Sequence, residues 1–88
     1  MENPYDIKIE SKLEKLLNKI KKKDRILYER IIKQMLKLAE TPKQGKPLRN
    51  ILKGKWRVQI GPFVLVYAID ENQHKVVFLE FEHHDRVY

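Results

Sequence analysis

The chain changes its hydrophobic period once, near its midpoint, and the change separates a helical half from a strand-rich half. Near the start, Tyr5, Ile7 and Ile9 alternate with Asp6, Lys8 and Glu10, the spacing of a strand with one buried face. Ser11 opens the stretch S-K-L-E, with Glu14 placed to complete a capping box. Leu13, Leu16, Leu17 and Ile20 then follow at i, i+3, i+4 and i+7, which predicts a short amphipathic helix. Lys21, Lys22 and Lys23 suit its last turn, where cations meet the negative end of the helix dipole. Asp24 can cap a second helix. Its stripe of Leu27, Ile31, Met35 and Leu38 is widened by Tyr28, Ile32, Leu36 and Ala39. Thr41-Pro42 ends that helix, because proline disfavours helical geometry at the residue before it. A link this short makes the pair a helical hairpin.

After Pro42 the pattern becomes that of loop and sheet. Residues 43–55 read as loop, punctuated by Gly45, Pro47 and Gly54. Trp56, Val58 and Ile60 alternate with Arg57 and Gln59, giving a strand with one polar face. Gly61-Pro62 makes a turn. The run FVLVYAI, 63–69, is apolar throughout and reads as the central strand, covered on both sides. A second turn at 70–73 leads to a last strand from Lys75 to Glu82. Simple alternation puts Val77, Leu79 and Phe81 on one face of it and Glu80 and Glu82 on the other. The order is β-α-α-β-β-β: an α+β architecture, a two-helix hairpin on one face of a curved, mostly antiparallel four-stranded sheet.

Composition adds boundaries. Eighty-eight residues fit a single domain, 1–88, and no stretch approaches the roughly 18 apolar residues that a membrane span needs. The N-terminus lacks the pattern of a signal peptide, and the absence of cysteine removes a disulfide framework and a thiolate metal site. A cytoplasmic protein is expected. The net charge of +7 is unevenly placed. Residues 43–57 hold six basic side chains and no acidic one, whereas residues 58–88 hold two basic and five acidic. An uninterrupted basic block on a small domain points to a polyanionic partner, nucleic acid or an acidic protein.

The chain ends in HHDRVY, residues 83–88, directly after the last strand. Arg49, Lys53, Lys55, Arg57, Gln59, His83, His84, Arg86 and Tyr88 form the polar set expected near one concave surface. Such a set suits metal-free RNA cleavage, in which a 2′-hydroxyl loses a proton, the phosphorane charge is neutralised and the leaving oxygen gains a proton. Histidine can move the proton, arginine and lysine can hold phosphate, and Tyr88 can stack on a base. Glu80 and Glu82 could act as a base but read first as a solvated strand edge. His74 reads as a turn residue. His83, His84 and Asp85 raise a metal site, but adjacent ring nitrogens rarely converge on one ion, so none is expected. No phosphate-cradling glycine loop is present, and no cofactor is implied.

In order and spacing the chain resembles the RelE/ParE toxin superfamily, and within it the RelE branch, along nearly its whole length. The matching stretches are the first strand, the helical hairpin ending near Thr41-Pro42, P-L-R at 47–49, W-R-V at 56–58, G-P-F-V-L-V-Y at 61–67 and H-x-x-x-V-Y at 83–88. The resemblance implies the toxin of a type II toxin–antitoxin pair. Its implied activity is a ribosome-dependent mRNA endonuclease that inhibits translation through metal-independent 2′-hydroxyl attack. It also implies an acidic RelB-like antitoxin as partner, and operator DNA met only through that complex. Carried over by position, Arg57 is the phosphate-binding, catalytic strand residue, Tyr88 the C-terminal tyrosine and Arg49 the arginine after P-L. Val64 and His84 stand where the family pattern has arginine, and Gln59 where some members have lysine. Either Arg86 and Lys55 take over those charges, or His84 is the acid. The same resemblance leaves open a ParE-like toxin that acts on a topoisomerase without hydrolysis, or an inactive relative that binds only antitoxin and DNA.

Overall fold

The computed structural model describes residues 3–48 and 54–86. Strand β1 (Asp6–Ile9) leads into helix α1 (Ser11–Lys23) and helix α2 (Arg25–Glu40). A 3₁₀ turn at Pro42–Gln44 and the short strand β2 (Lys46–Pro47) follow. Strands β3 (Lys55–Ile60), β4 (Phe63–Asp70) and β5 (Lys75–His83) form a meander, and a 3₁₀ turn at His84–Arg86 comes after it. The sheet order is β1-β5-β4-β3-β2, with β1 parallel to β5 and every other pair antiparallel. The sheet therefore has five strands where the sequence indicated four. The additional one, β2, lies inside the stretch read as loop. Lys46 and Pro47 pair with Arg57 and Trp56, and Pro47 is tolerated because β2 is an edge strand.

Capping differs from the sequence reading at one helix and agrees at the other. The residue before α1 is Glu10, with no side-chain cap, and Ser11 is already helical. The reason lies in the sheet: the Glu10 N–H donates to Phe78 O at 3.0 Å, so β1 pairing continues up to the helix start. Asp24 closes α1 and opens α2, accepting a hydrogen bond from the Leu27 N–H at 3.1 Å. Both helices lie on one face of the sheet. Leu13, Leu17, Ile31, Met35 and Leu38 pack there against Ile60, Leu65, Tyr67, Val76, Phe78 and Phe81. Leu36 does not join this stripe; it is 57% exposed, as Ile26 is at 74%.

Strand β5 departs from simple alternation. Tyr67 pairs with Phe78 but Val66 pairs with Glu80, so Leu79 is the extra residue of a β-bulge. Val76, Phe78 and Phe81 consequently face the helices, while Val77, Glu80 and Glu82 face the other way. Leu79 packs with Leu48 against Val64 and Val66, which are buried on the side away from the helices. The expected set of Val77, Leu79 and Phe81 on one face is thus split by the bulge.

Tyr67 ties the core to the segment before β2. Its hydroxyl donates to Pro42 O at 2.7 Å and accepts from the Gly45 N–H at 3.1 Å. A Cβ at Gly45 would meet that hydroxyl and lie 2.5 Å from Arg57 O, so only glycine fits this approach. Burial raises the Tyr67 pKa above its ordinary value of 10.0, opposed in part by the Gly45 hydrogen bond. The folded state thus keeps the phenol neutral at pH values where the unfolded chain ionises it. Stability should therefore decline as pH rises above about 10, because the unfolded state then binds fewer protons. Tyr67→Phe should remove that part of the alkaline slope and cost about 1–3 kcal/mol at neutral pH, since it leaves two backbone groups without their partner. Urea unfolding of both proteins at pH 7 to 11, a range chosen to bracket the tyrosine reference value, measures both effects.

Candidate active site on the open face of the sheet

The side of the sheet away from the helices carries the polar positions. Alternation along β3 puts Lys55, Arg57 and Gln59 there. Lys46 joins them from β2, directly opposite Arg57. Two like charges facing each other across a strand pair repel, and a bound anion relieves the repulsion. The register also sets Arg57 beside Val66 and Val66 beside Glu80, and in the next row Gln59, Val64 and Glu82. Cations on β2 and β3 therefore look across an apolar floor of Val64 and Val66 towards carboxylates on β5. Two strand spacings, roughly 9–10 Å, separate the two sides.

Lys55 reaches into a cleft of about 530 Å³ that Glu80, Glu82, Leu79 and the start of α1 also line. Arg57 and Lys55 are half-buried, whereas Glu80 and Glu82 are exposed. Gln59 is held elsewhere: its side chain donates to Gly61 O at 3.0 Å, and it lines a shallow pocket with Arg30, Lys33 and Lys37 of α2. Arg57 and Lys55 thus share the open face, and Gln59 sits at its rim beside the β3–β4 turn.

The tail takes a different direction. His83 lies on the helix side, its ring edge-on to Phe63 at 5.8 Å, in the groove with Leu16, Ile20 and Phe81. His84 is tied to the β3–β4 turn, where Pro62 O accepts from its backbone N–H at 2.9 Å and lies 3.2 Å from its Nδ1. Asp85 Oδ1 is 3.0 Å from His84 Nε2, and Asp85 Oδ2 is 3.5 Å from His83 Nδ1. His83 pairs with Phe63, three residues along β4 from the Arg57 row, a separation of about 10 Å. The structure does not bring the two histidines onto the Arg57 row. Arg49, Lys53 and Tyr88 lie outside the described residues, and of Arg86 only the backbone is described, in the closing 3₁₀ turn.

Three residues gain roles that the periodicity did not assign. Lys46 entered the open face only because β2 pairs with β3. Glu80 and Glu82, first read as strand edge, stand across the floor from the basic side. His74, read as a turn residue, adopts φ 55° and stacks on Tyr5 at 3.9 Å. Its Nε2 lies 3.0 Å from Asn3 O, so it fastens the entry to β1.

Comparison with known proteins places this geometry. The family profile described as the ParE toxin of the type II toxin–antitoxin system parDE matches residues 7–88. The chain belongs to this toxin family. It is a toxin of a type II toxin–antitoxin system, and its relatives put it on the RelE branch of the RelE/ParE superfamily. A protein of Methanocaldococcus jannaschii that bears the name toxin RelE4 is 40% identical over 85 residues, 96% of this chain and 90% of that protein. The toxin–antitoxin complex RelBE2 of Mycobacterium tuberculosis contains a chain that superposes with a TM-score of 0.80 at 26% identity, over 92% of this chain and 99% of that one. A chain of the RelE–RelB complex of Pyrococcus horikoshii superposes at 0.75 with 16% identity, covering 97% and 100%, and shows the shared fold. Among the described residues no helix of this RelE/ParE toxin is long and apolar enough to cross a membrane.

Proposed function

We infer that this toxin is a RelE-type endoribonuclease that cuts messenger RNA on the ribosome and is held inactive by an acidic, RelB-like antitoxin. The observation that carries the reading is the row Arg57–Val66–Glu80, with Lys46 opposite Arg57. Cleavage through a 2′-hydroxyl needs a base near the sugar and fixed positive charge at the phosphorane. Arg57, with Lys46 and Lys55 beside it, is assigned the phosphorane charge, and Glu80 across the floor is a base candidate. An apolar floor between them suits a ribose or base that must lose water to react. The tail residues His84, Arg86 and Tyr88 are assigned to the leaving-group side, with Arg49 and Lys53 extending the phosphate track. The antitoxin assignment rests on the RelBE complexes among the structural relatives and on the basic block at 43–57.

Expression of the chain alone should arrest translation, with cuts in ribosome-bound messages visible by primer extension and suppressed when the antitoxin is co-expressed. The matched family profile also covers toxins named for the parDE pair, which keeps a topoisomerase target in view. Arrested supercoiling with intact messages would replace the endonuclease reading by that one.

A further inference from the structure

We propose that His83, His84 and Asp85 form a binding site for a borderline-soft divalent cation, zinc foremost, that fastens the C-terminal segment to the β3–β4 turn. From the sequence alone, adjacent imidazoles argued against such a site. The 3₁₀ turn at His84–Arg86 changes the geometry, because it folds Asp85 back between the two rings. One donor atom from each residue lies within 4.8 Å of the other two.

The proton positions strengthen the case. Pro62 O can only accept, so at 3.2 Å the facing Nδ1 of His84 carries the hydrogen. A neutral His84 then presents the lone pair of Nε2 to Asp85 Oδ1 at 3.0 Å. His83 Nδ1 accepts from the Asp85 backbone N–H at 3.3 Å, so it too carries a lone pair, 3.5 Å from Asp85 Oδ2. Two nitrogen lone pairs and a carboxylate thus face one another with no hydrogen between them. A proton on His84 would satisfy one of these contacts. A divalent ion satisfies all three.

Distances and surroundings agree. A tetrahedral zinc ion with bonds of about 2.0–2.1 Å holds its ligands roughly 3.4 Å apart, close to the two observed nitrogen–carboxylate separations. The Pro62 contact is the backbone-carbonyl bond that orients a metal-binding imidazole through its other nitrogen. The long hydrogen bond from the Asp85 N–H is weak enough to yield. Two imidazoles with one carboxylate select zinc, nickel or copper over magnesium and calcium. This assignment stands on the donor geometry and does not depend on the cleavage reading.

The test uses the full chain without a histidine tag, titrated with zinc chloride against a chromophoric chelator at about pH 7.5, above the histidine reference value. One ion should bind per chain, and His83→Ala, His84→Ala and Asp85→Asn should each weaken it at least about tenfold. His74→Gln, which alters the remaining histidine, should leave binding unchanged. Nitrogen-15 NMR should show zinc shifting His83 Nδ1 and His84 Nε2, with Pro62-bound His84 Nδ1 still protonated. Circular dichroism confirms that each variant is folded. Zinc binding that survives in His84→Ala, or wild-type binding no tighter than that of the three single variants, would overturn the assignment. So would an NMR spectrum showing only a doubly protonated His84 that zinc does not perturb.

Discussion

Arg57→Ala is expected to slow message cleavage by roughly 10²–10³-fold, the usual loss when one preorganised charge-stabilising donor is removed from an active site. Its place explains why the loss should be that large. Arg57 is half-buried on β3, between the opposed Lys46 and the apolar floor, where a charge acts through less water than it would on an open surface. Neither lysine reproduces its planar fork, so Arg57→Lys should recover only part of the rate. Binding of ribosome-bound message should weaken as well, because a phosphate contact is lost, and its salt dependence should become shallower. Single-turnover cleavage on programmed ribosomes, with a thermal melt of the same variant, separates chemistry from folding. A folded Arg57→Ala protein that cuts at the wild-type rate would exclude Arg57 from the mechanism.

The largest stability effect is expected at Phe78. Its side chain is fully buried between the helices and the sheet, and its ring lies 5.9 Å from that of Tyr67. It is also the last residue before the bulge, with Ile9 of β1 as its partner on the other side. Phe78→Ala should cost about 3–5 kcal/mol, combining lost transfer free energy with the cavity left behind. That is a large part of the roughly 5–15 kcal/mol typical of a domain, so much of the protein would unfold on modest warming. Leu79→Ala, at the bulge itself and only half-buried, should cost less. Urea unfolding of both variants checks the order, and equal losses would show that the bulge residue is packed as tightly as the core.

The parts of the fold that were legible in the sequence are those set by a single segment's own period. The helical hairpin follows from the stripes of Leu13 to Ile20 and Leu27 to Leu38, and Asp24 marks the break between them. The same alternation placed Lys55 and Arg57 on one face of β3. Features that could not be read depend on pairing between distant segments. The bulge at Leu79 appears only when β4 and β5 are aligned, so the faces of β5 came out wrong and the opposition of Glu80 to Arg57 was invisible. Strand β2 is two residues long and contains a proline, too little for any period. The Ser11 cap failed because the Glu10 N–H was already bonded to Phe78, a residue far along the chain. The direction of the tail is set by a 3₁₀ turn and by Pro62, and hydrophobic pattern carries no signal for either.

The bulge makes β5 a strand written in two phases. Up to Phe78 the even-numbered residues face the helices, and from Phe81 onward the odd-numbered ones do. A one-residue slip in a strand normally exchanges its buried and solvent-facing sets. Here the exchange has already happened once, between Phe78 and Phe81. Removing Leu79 would merge the two phases, yet it would keep Phe81 against the helices and both carboxylates on the open face. A residue removed anywhere from Phe81 to His83 would instead turn over the remainder of the chain. The length of β5 is therefore negotiable at one point, and that point adjoins Glu80.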